Sequence, residues 1–257
     1  MFSVSDAQAI LDPALREQIE KHPRAQDLLR AFLYPYDAPD HDFLFGDGIV
    51  SPLPRDSIAD RIAGRTPVLA IGSNRAPVQL ARKFSPPHHH ENVPVTMGWM
   101  AHHDVVYSAH ITGYGALPAT LAPSPGTRVR MAVTWLTHDQ LGHMHATEAV
   151  PAHYRYRQLA GHDVVLDCGV TVDHVGSYQS AMGWVFNGDD VFALSAIKAS
   201  NRRFATASQW DMIQYMARRA GMVARPEFVL RLMDDPVFRQ SLAGPRWPGA
   251  GLTAAVW

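Results

Sequence analysis

"VLAIGSNRAPVQLARKF", residues 68–84, runs from a short apolar stretch into Gly72-Ser73-Asn74 and resumes with apolar positions at helical spacing after Pro77. The pattern predicts a strand, a tight turn and a helix. Such a junction gathers backbone N–H groups and a helix N-terminus at one point, where a carboxylate or other anion can be held. Gly72 permits the tight path, and Ser73 and Asn74 can add side-chain donors. Most tripeptides of this kind simply form a turn in which Asn caps the next helix. The motif therefore leaves both readings open. It lacks the Gly-Lys-Ser/Thr ending of a Walker phosphate loop and the later glycines of a dinucleotide fingerprint.

Around this junction, 257 residues with 47% hydrophobic content can bury a substantial core in one elaborated domain. The net charge of −1 and the absence of a long Lys/Arg block remove the electrostatic footprint of nucleic-acid or anionic-membrane binding, leaving a small molecule as the expected partner. Cys168 is the only cysteine, which rules out an internal disulfide and removes zinc-ribbon and Cys-x-x-Cys readings. In "VVLDCGVTV" it reads as a small buried hydrophobe. The first residues carry no basic stretch followed by an apolar one, and no run of 18 apolar residues occurs. A soluble, cytoplasmic protein is expected.

Three regions follow without an internal repeat. Residues 1–65 read as an N-terminal helical extension: two helices between Ser5 and Phe32, punctuated by Asp12-Pro13 and His22-Pro23, then a Pro- and Gly-rich connector from Tyr34 to Pro54 without regular structure. Residues 66–175 form the core. Its β-branched runs are Val68–Ile71, Val105–Ile111, Val129–Leu136, Val164–Leu166 and Val170–Val172, with helical spacing after Pro77 and around Asp139–Thr147. Residues 176–257 read as a helical C-terminal extension packed on the core, helical from Ala193 onward, with a surface-wrapping tail around Trp247 and Trp257. Strands interrupted by helices without a βαβ rhythm predict an α+β fold.

A second stretch carries chemistry. Ala119-Thr120 and Pro123–Gly126 precede a strand, a helix from about Thr137, and Glu148 before Val150-Pro151. Glu148 has only Ala146, Thr147, Ala149 and Val150 as its nearest neighbours, with no cation among them. A carboxylate in an apolar pocket holds its proton more tightly and can exchange it near neutral pH. The plain alternative is an exposed Glu at a helix end.

Together these residues resemble the gamma-glutamylcyclotransferase-like family. That family has a strand followed by a Tyr-Gly-Ser-Asn loop, an Ala-Thr and Pro-x-x-Gly turn, and a Leu-Asp-x-x-Glu-x-x-Pro-x-x-Tyr segment. The matching positions here are Ile71-Gly72-Ser73-Asn74, Ala119-Thr120, Pro123–Gly126 and Met144–Tyr154. The resemblance implies a small mixed β-barrel flanked by helices, with the loop and the Glu facing one cavity. It also implies cofactor-free release of an amine from a gamma-glutamyl-like substrate with 5-oxoproline formation, through Glu148 as general acid/base. Ile71, Gly72, Ser73, Asn74, Arg75 and Tyr154 would bind a substrate carrying a carboxylate and an amide. Ile71 replaces the usual Tyr, Arg75 a common Leu, His145 a typical Asp and Ala149 a common Gly.

Two other readings compete. His88-His89-His90-Glu91 with His102-His103 could assemble a metal-dependent hydrolase, although consecutive histidines are poorly spaced for one ion. A non-catalytic ligand-binding protein is the third. No Gly-x-Ser-x-Gly elbow supports a serine hydrolase. His145, one helical turn before Glu148, could tune its proton affinity. Lys198, Asn201, Arg202 and Arg203 could face the substrate or form a solvated basic surface. Met212, Tyr215 and Met216 recur at core spacing, and the C-terminal extension could act as a lid or as a homodimer surface.

Overall fold

The computed structural model describes residues 1–84, 91–187 and 190–243. His88–His90 and the tail with Trp247 and Trp257 lie outside the described residues.

Helices α1 (Val4–Ala7), α2 (Pro13–Glu20) and α3 (Ala25–Phe32) lead the chain. Asp12 starts α2, its carboxylate accepting from the Ala14 and Leu15 amides with Pro13 as first helical residue. Strands β1 (Phe43–Gly46) and β2 (Ile49–Pro52) and helix α4 (Ile58–Ile62) precede β3 (Thr66–Ala70) and α5 (Pro77–Phe84). Two long strands follow, β4 (Val93–Tyr107) and β5 (Ala119–Leu136), then α6 (His138–Thr147), started by a Thr137/Gln140 capping box. Next come β6 (Tyr154–Ala160), β7 (Val164–Leu166), β8 (His174–Ser180), β9 (Phe186–Asn187), β10 (Asp190–Leu194), β11 (Ala199–Ser200) and β12 (Ala205–Ala207). Helices α7 (Gln209–Arg219), α8 (Pro226–Asp234) and α9 (Pro236–Ser241) close the described chain.

The fold is α+β around one large mixed sheet. Its main path runs β12-β10-β4-β5-β3-β8-β6, parallel at β10/β12 and β3/β8 and antiparallel elsewhere. No pairing joins β12 to β6 among the described residues, so the sheet is open and the expected barrel closure is not part of its hydrogen bonding. Both faces are covered. Leu69, Met131, Val133 and Trp135 face a cluster with the residues of α2, α3, α7 and α8, including Ile19, Leu28, Met212, Met216 and Phe228. Val68, Ala70, Val95, Met97 and Ala132 face the other way, onto Leu80 and Phe84 of α5 and Met144 of α6. This period-two division along β3 and β5 is what places α5 and α6 together on one side.

Several expectations are corrected. The Tyr34–Pro54 connector contains the β1/β2 hairpin, turned at Asp47-Gly48, both at positive φ, and β1 pairs with β4. The helix expected from Ala193 starts only at the Ser208/Asp211 capping box; β10 to β12 come first and join the sheet, β10 and β12 through a parallel pairing. Pro123–Gly126 is not a free turn but part of β5, near the register shift at Ala101/His103, where His102 has φ 60°. The run Val105–Ile111 leaves the strand after Tyr107, and Val170–Val172 forms no strand, β8 beginning at His174.

Candidate active site

Beyond β3 the chain passes Ile71 and Gly72 and makes a 3-10 turn over Ser73–Arg75 before entering α5. Gly72 is required by close approach: a Cβ there would overlap the Tyr34 hydroxyl and lie 2.9 Å from the Ala119 Cβ. That hydroxyl accepts from the Ala119 amide at 2.7 Å, while Tyr154 donates to the Ala119 carbonyl at 3.1 Å. Two tyrosines thus clamp the start of β5 beneath the loop.

The loop roofs a cavity of about 240 Å³ whose wall includes Ile71, Gly72, Ser73, Asn74, Glu148 and Tyr154. Six of the seven residues singled out from the sequence share this cavity. Arg75 does not. It lies on a separate cavity of about 700 Å³ between the N-terminal segment and α7, near Asp37 and Trp210. There its Nε is buried without a hydrogen-bond partner, and burial lowers the guanidinium below its usual range.

Glu148 caps the C-terminal end of α6, its amide donating to the Met144 carbonyl at 3.0 Å, and Ala149 at φ 50° turns the chain away. The apolar setting suggested by its sequence neighbours is not what the fold builds. Lys83 on α5 donates to Glu148 Oε1 at 2.5 Å, and also to Thr147 Oγ1 at 2.9 Å and the Met144 sulfur at 3.2 Å. Asn74 Nδ2 donates to the same Oε1 at 2.8 Å. Oε2 receives no hydrogen bond from any described residue. One carboxylate oxygen is therefore anchored twice, and the other is not. The Lys83 side chain is 5% exposed and that of Glu148 14%.

Two histidines add to the wall. His110 shares a 2.7 Å hydrogen bond through Nδ1 with the Ser108 hydroxyl, which donates to Ser180 Oγ at 2.7 Å. Its ring lies 4.9 Å from that of His153 and 5.3 Å, edge-on, from that of Tyr154. Burial, with a smaller push from His153, lowers His110 to about 3, so it is neutral at physiological pH. Burial also raises the phenols of Tyr34, Tyr114 and Tyr154, which remain neutral hydrogen-bonding groups.

Other expected participants go elsewhere. His145 shares a 2.8 Å hydrogen bond with the Tyr178 hydroxyl, and its own ring packs on Tyr156. Arg202 forks onto the buried Asp104 at 2.9 and 3.0 Å, and Lys198 pairs with Asp40 at 2.6 Å. The basic C-terminal cluster ties loops to the sheet. Among the described residues no group of three or more His, Cys, Asp or Glu side chains is arranged to hold a metal ion, and His88–His90 lie outside them.

Sequence reading missed Lys83, Gln79, Tyr34, Arg30, His110 and His153, all on this cavity. Lys83 carries a usable signal: it interrupts the apolar stripe of Leu80 and Phe84 on α5, where a cation needs a partner.

The chain is similar to gamma-glutamyl cyclotransferase. That solved structure aligns at 17% identity and a TM-score of 0.37, over 45% of this chain and 66% of the other, just under two thirds of its length. An uncharacterised protein from Homo sapiens aligns at 16% identity and TM-score 0.38, over 46% and 68% of the two chains. YkqA from Bacillus subtilis aligns at 13% identity and TM-score 0.36, over 70% and 59%. No protein-family model and no curated protein matches the sequence. No helix among the described residues is long and apolar enough to cross a membrane.

Proposed function

We propose that this protein is a cofactor-free acid/base enzyme that cleaves a small amide in the cytoplasm, releasing an amine from a gamma-glutamyl-like substrate as 5-oxoproline forms. The observation that supports this reading is the posture of Glu148: Oε1 is fixed by Lys83 and Asn74, and Oε2 is left unbonded on a cavity roofed by the Gly72–Asn74 loop.

In this reaction the substrate supplies its own nucleophile. The α-amine attacks the γ-carbonyl carbon, a C–N bond closes the five-membered ring, and the original amide C–N bond breaks. Glu148 takes one proton from the α-ammonium group before attack and a second from the ring nitrogen as the lactam forms, passing each to the departing nitrogen, which leaves as an ammonium, so the carboxylate ends unchanged. Lys83 and Asn74 hold Oε1 and so leave Oε2 as the oxygen that a substrate nitrogen would meet. The loop amides of Gly72 and Ser73, aided by Asn74, would bind a carboxylate or steady the developing oxyanion. A cavity of about 240 Å³ holds an amino-acid-sized group folded for ring closure, which supplies proximity.

The test compares the parent and Glu148→Gln on gamma-glutamyl peptides, gamma-glutamyl amines and ureido acids, following amine and 5-oxoproline release. A loss of about 10²–10⁴-fold is expected in the variant. Equal rates in both would remove Glu148 from the chemistry. A parent inactive on the whole panel would favour a binding protein.

A further inference from the structure

The cavity has a cation that the amide chemistry leaves unused. Arg30, on α3 in the N-terminal segment, lines the same wall as Glu148. Its guanidinium lies 4.1 Å above the centre of the Tyr114 ring, another wall residue. Its Nε is buried without a hydrogen-bond partner, and no carboxylate among the described residues forms an ion pair with it, Glu148 included. Tyr36 is held beside it, donating its hydroxyl hydrogen to the Arg30 carbonyl at 3.1 Å.

A second guanidinium increases the local excess of positive charge. Arg82 packs 5.4 Å from the Tyr36 ring centre, bonds Gln79 Oε1 at 3.3 Å, and likewise has no carboxylate partner among the described residues. Gln79 is itself a wall residue. Arg30 lies close enough to Arg82 for its charge to disfavour that of Arg82, after the larger effect of burial. Arginines drawn out of water normally meet a carboxylate, and the guanidinium fork takes one through two parallel bonds. For Arg30, part-buried on the cavity wall with no carboxylate among the described residues paired to it, a ligand can supply that partner.

We propose that Arg30, supported by Arg82, is the anchor for a substrate carboxylate at a separate point of the cavity wall from Glu148. The preferred substrate is then an acid, bearing a carboxylate apart from the bond that is cleaved. This rests on the amide-cleaving reading for the word substrate, but the anion site is testable without turnover.

The probes are glutarate and its uncharged counterpart glutaramide, with binding followed by calorimetry on the parent, Arg30→Gln, Arg30→Lys, Arg82→Gln and Glu148→Gln. Arg30→Gln is expected to weaken glutarate about tenfold or more, the loss of a charge-assisted fork, and to leave glutaramide unchanged. Arg30→Lys, which keeps the charge and the stem, should fall between. Arg82→Gln, at an exposed position that folding tolerates, should lose less, and raised salt should weaken glutarate in the parent more than in Arg30→Gln. Glutarate binding equal in the parent, Arg30→Gln and Arg82→Gln, or no glutarate binding by the parent, overturns the anchor. If the parent cleaves gamma-glutamyl substrates and Arg30→Gln keeps both KM and glutarate affinity, the anchor fails while the proposed reaction stands. If nothing is cleaved but glutarate binding depends on Arg30, the anchor stands and the reaction fails.

Discussion

The Lys83 ammonium meets the Glu148 carboxylate at 2.5 Å, joining the last turn of α5 to the end of α6, with the cation more deeply buried than the anion. Thr147, Met144 and Asn74 complete the shell around the pair. The arrangement fixes a helix–helix contact and the rotamer of the candidate acid/base group at once. Stability and site geometry are therefore coupled through one interaction.

Breaking a buried ion pair from one side leaves an uncompensated charge and costs roughly 3–5 kcal/mol. Glu148 retains an opening to the cavity, so Lys83→Met is expected at the low end of that range. The double variant Lys83→Met/Glu148→Gln should recover at least half of the loss, because neither charge is left alone. Urea unfolding of the parent, both single variants and the double variant measures the coupling. Strictly additive losses would show that the two side chains do not stabilise each other.

Ala149 adopts φ 50° directly after the Glu148 cap, a left-handed conformation that a Cβ disfavours. The same position commonly holds Gly in the family whose segment this one resembles. Its side chain is exposed, so little packing is lost on removing it. Ala149→Gly is expected to stabilise the protein by about 0.5–1 kcal/mol, the relief of strain exceeding the added backbone entropy of Gly. A raised Tm in calorimetry would agree. A lowered one would mean that the methyl group holds the turn.

What the sequence revealed of this site followed the range of the interactions involved. The strand–loop–helix at Val68–Phe84 and the helix ending at Glu148 are local structures, marked by Gly72, Pro77 and the Thr137 cap, and both were readable. Arg75 was misplaced because a 3-10 turn rotates each residue by about 120°, so the residue after Asn74 faces another cavity. Lys83 signals only that it needs a partner and Arg30 carries no local sign at all, since what each meets depends on which helix faces the sheet brings together. Strands β10 and β12 were hidden for the same reason: their parallel pairing rewards contacts across a chain reversal, which periodicity within one segment does not record.

His110 gives the fold an acid-sensitive point. Its folded-state value is about 3 against an ordinary 6.5, lowered by burial and then by His153. As pH falls below 6.5 the unfolded chain takes up a proton that the folded chain refuses. The contribution is complete above that pH and is lost progressively as pH falls toward 3. At pH 5, 1.5 units below the ordinary value, the loss amounts to about 2 kcal/mol. Stability of the parent should therefore decline more steeply between pH 6.5 and 4 than that of His110→Gln, which cannot titrate there. Urea midpoints across that interval measure the difference, and parallel slopes would show that His110 protonates without opening the cavity wall. Because His110 stays neutral above pH 5 in the folded protein, a rate that changes between pH 6 and 8 would have to come from another group.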